Sequence, residues 1–295
     1  MSEGSTEPLI RWLSEPECQD AAVAGGKGAA LARLTAQFQV PPGFCVLARP
    51  RASGSRRADA IRQAYAQLGA LTGYDAPRVA VRSSAVGEDG TTASFAGQLE
   101  TRLGIAGADA VVAAVDDVLE SAASARVGHY LRERALRPER AESLDTAVVI
   151  QTLIPADVAI VGFSIDPVKP DPDHLVVHAT LGLGESLVSG LVTPDMYTIR
   201  RRDLEIVSNR VGDKHLMIVP TATGTRTVSV PRPIAARPSA TPGEVLEVAK
   251  LLLALEQQHQ HPVDVEAAFW NQTLYLLQCR PITTVGGTGH MVGGG

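Results

Sequence analysis

The spacing of apolar residues changes character about half-way along the chain. In the first half, apolar positions three and four apart predict helices, separated by short apolar runs that read as strands. Residues 21–36 read as a Gly-rich turn, Gly25-Gly26-Lys27-Gly28, running into a short helix. Val40-Pro41-Pro42-Gly43 ends it, because proline cannot continue a helix. Phe44 to Leu47 predicts a strand, and residues 56–71 a helix with Ile61, Tyr65 and Leu68 on one face. Val79 to Val81 reads as a brief strand leading into a polar loop over 82–98. A long helix spans 107–136 and Pro138 closes it, after which Ala147 to Leu153 predicts a buried strand.

The second half reads as a series of short strands, 158–165, 175–180, 196–201, 204–208 and 226–230, separated by turns rich in Pro, Gly and Asp. One helix interrupts them. Thr241-Pro242-Gly243-Glu244 supplies an N-cap Thr, Pro at the first helical position and Glu three residues after the cap, and the apolar run Val245 to Leu255 follows. Val263–Trp270 and Leu274–Arg280 predict a hairpin around Asn271-Gln272-Thr273. A three-residue loop sets Glu266 opposite Gln278 and Asp264 opposite Arg280, all on one face, with Val263, Val265, Phe269, Tyr275, Leu277 and Cys279 on the buried one; a bulge shifts this by a residue. The change of texture divides the chain into an N-terminal lobe, 1–150, a C-terminal lobe, 151–285, and a flexible tail, 286–295.

Composition narrows the function classes. A formal net charge of -5 gives no broad basic field for nucleic acid or anionic lipid. No apolar run approaches the roughly 18 residues of a membrane span, and the N-terminus lacks a secretion-signal layout. The cysteines, Cys18, Cys45 and Cys279, show no CxxC spacing and read as reduced thiols of a cytoplasmic protein. The histidines show no metal-binding spacing, and His129, His174, His178 and His215 read as structural or surface residues. Lysine is scarce, at Lys27, Lys169, Lys214 and Lys250 only.

Three segments carry candidate chemistry. Gly25-Gly26-Lys27-Gly28 opens a helix, where exposed N–H groups favour an anion and glycine lets the backbone approach it; the alternative is an ordinary turn with a solvated lysine. Val79-Ala80-Val81-Arg82-Ser83-Ser84 puts a guanidinium and hydroxyls where a phosphate clamp needs them, against a surface loop with Arg82 paired to Glu88 or Asp89. On the hairpin, Glu266 beside Gln278 is a hard-oxygen pair suited to Mg²⁺, and Arg280 is placed to meet a phosphate; the alternative is a polar face that only meets water. Gly182-Leu183-Gly184-Glu185-Ser186, continuing to Thr193-Pro194-Asp195, is either a ligand-positioning loop or a connection.

In order, GGKGAALARL, VPPGFCV, AVRSSAVGEDGTTASFAGQLET, VVIQTLIP, GLGESLVSGLVTPD, VDVEAAF and LLQCRPIT resemble the nucleotide-binding domain shared by phosphoenolpyruvate synthase, pyruvate phosphate dikinase and rifampicin phosphotransferase. The resemblance runs from about residue 18 to residue 284. It implies an α+β, two-lobed ATP-grasp fold with ATP held in the cleft between lobes. It further implies that Lys27 and Arg82 grip the triphosphate, that Gly97 and Thr101 lie in the segment covering it, and that Gln151 sits by the adenine. Glu266 and Gln278 would hold Mg²⁺, and Arg280 would stabilise the transferred group. Arg82 and Arg280 are then the expected catalytic residues. The sequence departs from the family pattern at Ala267, where Trp is usual, and at Ile160, where Gly is frequent; no acceptor-histidine segment follows Arg280-Pro281-Ile282-Thr283.

The function this implies is an ATP-dependent phosphotransferase that passes a phosphoryl or pyrophosphoryl group to a histidine on a swivelling domain or partner subunit. The alternatives are an ATP-grasp ligase acting through an acyl phosphate, and an ATP-binding module without turnover.

Overall fold

The computed structural model describes residues 8–47, 54–85, 101–136 and 146–282. The chain is α+β, and it divides into two compact units: Met1–Pro155 with Pro220–Arg226, and Ala156–Val219 with Thr227–Gly295.

The first unit runs β1 (Ile10–Trp12), a 3₁₀ turn (Pro16–Gln19), α1 (Ala21–Leu34), β2 (Gly43–Val46), α2 (Gly54–Thr72), β3 (Val79–Ala85), β4 (Thr101–Ile105), α3 (Ala108–Leu136) and β5 (Thr146–Thr152). Its five strands form one antiparallel sheet in the order β1-β2-β5-β3-β4. Alternation along the strands explains its two cores. Phe44, Val79, Val81, Val148 and Ile150 pack against Ile61, Tyr65 and Leu68 of α2 and Val111, Val115 and Val118 of α3. Their neighbours Cys45 and Val149 face the other way, onto Ala24, Leu31 and Ala32 of α1. The helical stripe expected on α2 is the buried one.

The rest of the chain, in the second unit apart from Pro220–Arg226, runs β6 (Val158–Phe163), β7 (His174–Leu181), α4 (Glu185–Val188), β8 (Asp195–Arg200), β9 (Ile206–Arg210), β10 (Leu216–Thr221), β11 (Gly224–Ser229), α5 (Arg232–Ala235), α6 (Pro242–His259), β12 (Val263–Trp270) and β13 (Thr273–Pro281). Six strands form a sheet in the order β13-β12-β6-β7-β8-β9, and β10-β11 is a separate pair. The helix start at Thr241 is realised in full: Thr241 Oγ1 accepts from Glu244 N–H, and the Glu244 carboxylate accepts from Thr241 N–H. α6 then lays Val245, Val248, Leu252 and Leu255 against one face of the sheet, where Gly162 has no side chain to obstruct Leu252.

The structure corrects several expected elements. β3 continues to Ala85, so Arg82, Ser83 and Ser84 belong to a strand and not to a loop; pairing with β5 through Ala85↔Thr146 holds them extended. β1, β4 and β10 and the short α4 and α5 were not foreseen, being three to six residues long with no clear periodicity. The helix end at Pro138, most of the 82–98 loop and the 286–295 tail lie outside the described residues.

Candidate functional site

In the first unit, the Gly-Gly-Lys-Gly cluster docks on β3. Asp20 caps α1 by accepting from Ala22 N–H at 2.9 Å, but Gly25 breaks the helix with φ of 71°. A Cβ at residue 25 would lie 2.1 Å from Ser84 O, so only glycine serves there, for its torsion and for its lack of bulk. Ser84 Oγ accepts from Gly28 N–H at 3.0 Å and donates to Ala24 O at 2.8 Å, tying both halves of the helix to the strand. Lys27 Nζ donates to Ser83 O at 3.2 Å, one residue along β3 from Arg82.

Strand alternation places the other first-unit candidates on this same α1-facing side. Ser84 faces α1, and Arg82, two residues back, shares its face. Arg82 lies opposite Thr101 on β4 and Val149 on β5, and Gln151 follows Val149 by two. Thr101 is exposed, Arg82 half-buried and Gln151 only 1% exposed, with its Nε2 donating to Pro41 O at 3.4 Å. Lys27, Arg82, Thr101 and Gln151 therefore share one face of one sheet. Gly97 lies outside the described residues.

In the second unit, Asp264 stands opposite Arg280 and Glu266 opposite Gln278, the pairing expected from sequence, but the route differs. The turn is two residues long, with Asn271 and Gln272 both at positive φ (48° and 62°), and Trp270 pairs with Thr273. A bulge at Leu277, which has no partner between Leu276↔Ala267 and Gln278↔Glu266, restores the register. It also reverses the faces of the turn-proximal half of β13. Leu276 is buried where Leu277 was expected, and Tyr275 and Leu277 are only half-buried.

The polar face of this hairpin is partly shielded. Gln278 is 9% exposed and Glu266 half-buried. Arg280 donates from Nε to Asp264 Oδ2 at 2.8 Å, and its Nη2 stands at the same distance from that oxygen. The Arg280 side chain is 44% exposed and that of Asp264 14%. Burial pushes the Asp264 carboxyl above its ordinary range, the Arg280 charge opposing this and the Glu266 charge adding to it. Among the described residues, no three His, Cys, Asp or Glu side chains cluster closely enough to hold a metal alone. A facing carboxylate and amide carbonyl fit Mg²⁺ nonetheless, since this ion keeps several waters and binds through one or two protein oxygens plus phosphates.

Sequence reasoning missed one buried pair. Lys214 and Asp195 have fully buried side chains that form an ion pair, and Asp195 also accepts from Gly212 N–H at 2.9 Å and Ser239 N–H at 2.6 Å. Asp195, in a loop that suggested ligand positioning, instead fastens three segments together. The scarcity of lysine marked Lys214, but nothing local to it indicated a partner 19 positions away.

Residues 55–290 match the family described as "Pyruvate phosphate dikinase, AMP/ATP-binding domain". A probable phosphoenolpyruvate synthase of Methanocaldococcus jannaschii is 34% identical over 96% of this chain and 27% of its own length. A second, from Pyrococcus abyssi, is 29% identical over 94% of this chain and 44% of its own. The prodigiosin synthesizing transferase PigC of Serratia marcescens is 37% identical over 76% of this chain and 24% of its own. Among solved structures, the D-alanine–D-alanine ligase of Bacillus anthracis aligns with 91% of this chain and 58% of its own, at 12% identity and a TM-score of 0.40. The class is thus an AMP/ATP-binding domain. The chain belongs to the pyruvate phosphate dikinase family of such domains, and spans 27% and 44% of the length of the two synthases named above.

Among the described residues, no helix is long and apolar enough to cross a membrane.

Proposed function

We propose that this chain binds Mg-ATP and transfers a phosphoryl or pyrophosphoryl group from it to a histidine on a separate domain or partner subunit. The observation that carries the reading is the hairpin: Glu266 faces Gln278 one step from Asp264 and Arg280, on the side of the sheet away from α6. The family assignment supports it.

Each residue then has a physical role. Lys27 and Arg82 compensate phosphate charge, the guanidinium by two parallel hydrogen bonds and the ammonium as a point charge. Gly97 and Thr101 cover the triphosphate, and Gln151 stands by the adenine. Glu266 and Gln278 hold Mg²⁺, whose charge stabilises the phosphate oxygens. Arg280 exchanges its Asp264 contact for the group in transit, where fixed positive charge counts for most. In pyrophosphoryl transfer, a histidine nitrogen bonds to the β-phosphorus, the α–β bridging P–O bond breaks, and AMP leaves. In this reading residues 1–150 supply Lys27 and Arg82, and residues 151–285 supply the metal ligands and Arg280.

Titration calorimetry with Mg-ATP tests the reading, with AMP formation assayed in the presence of the histidine-bearing partner. Saturable ATP binding that Glu266→Gln weakens at least tenfold is the expected result. A well-folded wild type that takes up no ATP heat would end it.

A further inference from the structure

The sheet face that carries Glu266 and Gln278 holds a second group of polar atoms. Gly162 meets Leu252 of α6, so Val161 next to it points to the opposite face. Val161 lies opposite Glu266 on one side and His178 on the other. Gln278, Glu266, Val161 and His178 therefore form one row across β13, β12, β6 and β7. Strands are about 4.8 Å apart, which sets His178 about 10 Å from Glu266. Thr180, two residues further along β7, shares the face and lies opposite Ala159.

His178 Nε2 and Thr180 Oγ1 are both buried with no hydrogen-bond partner among the described residues. A buried polar atom left in this state is unfavourable, because it has lost water without gaining a partner, and such atoms are rare in folded proteins. Here two occur on one stripe of one strand, next to the Glu266–Gln278 pair. The half-buried imidazole packs edge-on against Phe163, with ring centroids 5.7 Å apart. Burial pushes the His178 pKa below its ordinary range, the Asp166 charge opposing this, so the ring is neutral at pH 7 and offers one donor and one acceptor.

We propose that His178 and Thr180 form the sugar-binding part of the nucleotide site, a proposal that rests on the Mg-ATP reading of Glu266 and Gln278. Charge decides which part of the nucleotide belongs here. Phosphates call for cations, and Arg280 is the cation beside the metal pair, whereas Arg210, at the other end of the row opposite Met196, lies two strands beyond His178; a neutral imidazole and a hydroxyl between them match the uncharged ribose hydroxyls. About 10 Å across the strands separates the metal pair from the sugar subsite, with half-buried Val161 beneath the ring. The turn before α4 covers the far end of the stripe, where a Cβ on Gly184 would stand 3.6 Å from Ala159.

The test pairs ligand truncation with side-chain truncation. Mg-ATP, 2′-deoxy-ATP and 3′-deoxy-ATP are titrated into wild type, Thr180→Val and His178→Phe, and the melting temperature of each free protein is recorded. Wild type should bind at least one deoxynucleotide about fivefold to tenfold more weakly than ATP. Both variants lose a partnerless buried polar atom, so the free proteins should melt at the same temperature or higher, yet bind ATP weakly and no longer prefer it over the deoxynucleotide. His178→Gln should recover part of the affinity. Equal affinity of wild type for all three nucleotides, or variants that weaken all three alike, would overturn the proposal and leave the Mg-ATP reading standing. A wild type that fails to bind ATP at all would remove both. Should His178→Phe not fold, Thr180→Val, which only exchanges a hydroxyl for a methyl, decides the matter.

Discussion

Ala267 and Ile160, the two positions where the sequence departs from its family's pattern, lie directly opposite each other on β12 and β6. Both are buried, at 1% and 2% exposure, on the side facing α6. Where the resemblance implies a large residue at 267 and often glycine at 160, a small residue here meets a large one, and the volume of the pair is roughly conserved. Ile160→Gly should cost about 2–5 kcal/mol through the cavity and lost contacts, and Ala267→Trp should be destabilising through overpacking. The double variant should recover at least about 1 kcal/mol of the summed loss in urea unfolding. Neither departure explained itself in the sequence, because strand pairing is what makes neighbours of residues 107 positions apart. Asp264 gives a pH dependence. Its folded carboxyl lies above the unfolded value of about 3.9. The stability from proton uptake is complete below the unfolded value and is lost as pH rises through the folded one. Relative to Asp264→Asn, the wild-type melting temperature should rise as pH falls through that window and level off on either side.

At the scale of elements, α1 and the β12–β13 hairpin show what local pattern reveals and what it hides. The glycine cluster, the Thr241 cap and the alternation in β12 are local signals, and each leads to the right element. The kink at Gly25 is not local: Ser84, 59 residues further on, occupies the space a side chain would need. Gly25→Ala should therefore destabilise the first unit by more than the roughly 1 kcal/mol of an ordinary positive-φ substitution, and should weaken ATP binding through Lys27. Calorimetric melting with ATP titration on the same sample checks both effects. The turn invites the opposite change. Asn271-Gln272 has both residues left-handed, a conformation in which Asn-Gly is the preferred pair. Gln272→Gly should stabilise the hairpin by about 0.5–1 kcal/mol in denaturant unfolding.

At the scale of the whole molecule, both units are sheets whose candidate residues share a single face, Lys27, Arg82, Thr101 and Gln151 on one and Glu266, Gln278 and Arg280 on the other. If both sets serve one nucleotide, Lys27→Met and Glu266→Gln should each weaken ATP binding at least tenfold, and the double variant should lose less than the sum of the two free energies. Strict additivity in calorimetry would mean that the sets act independently. These residues stood out as candidates in the chain because phosphate and metal chemistry restricts the side chains that can serve. The faces were legible only where a strand was recognised, and Arg82 and Thr101 sit in strands whose extent the pattern did not reveal. The bulge at Leu277 has a bearing on how such chains tolerate indels. Removing Leu277 lets the ladder close without slippage, Leu276 on Ala267 and Gln278 on Glu266 as before, so the shortened protein should fold and keep a carboxylate facing an amide. Removing Cys279 instead would turn Arg280 to the α6 side, and with it the guanidinium proposed above to meet the group in transit.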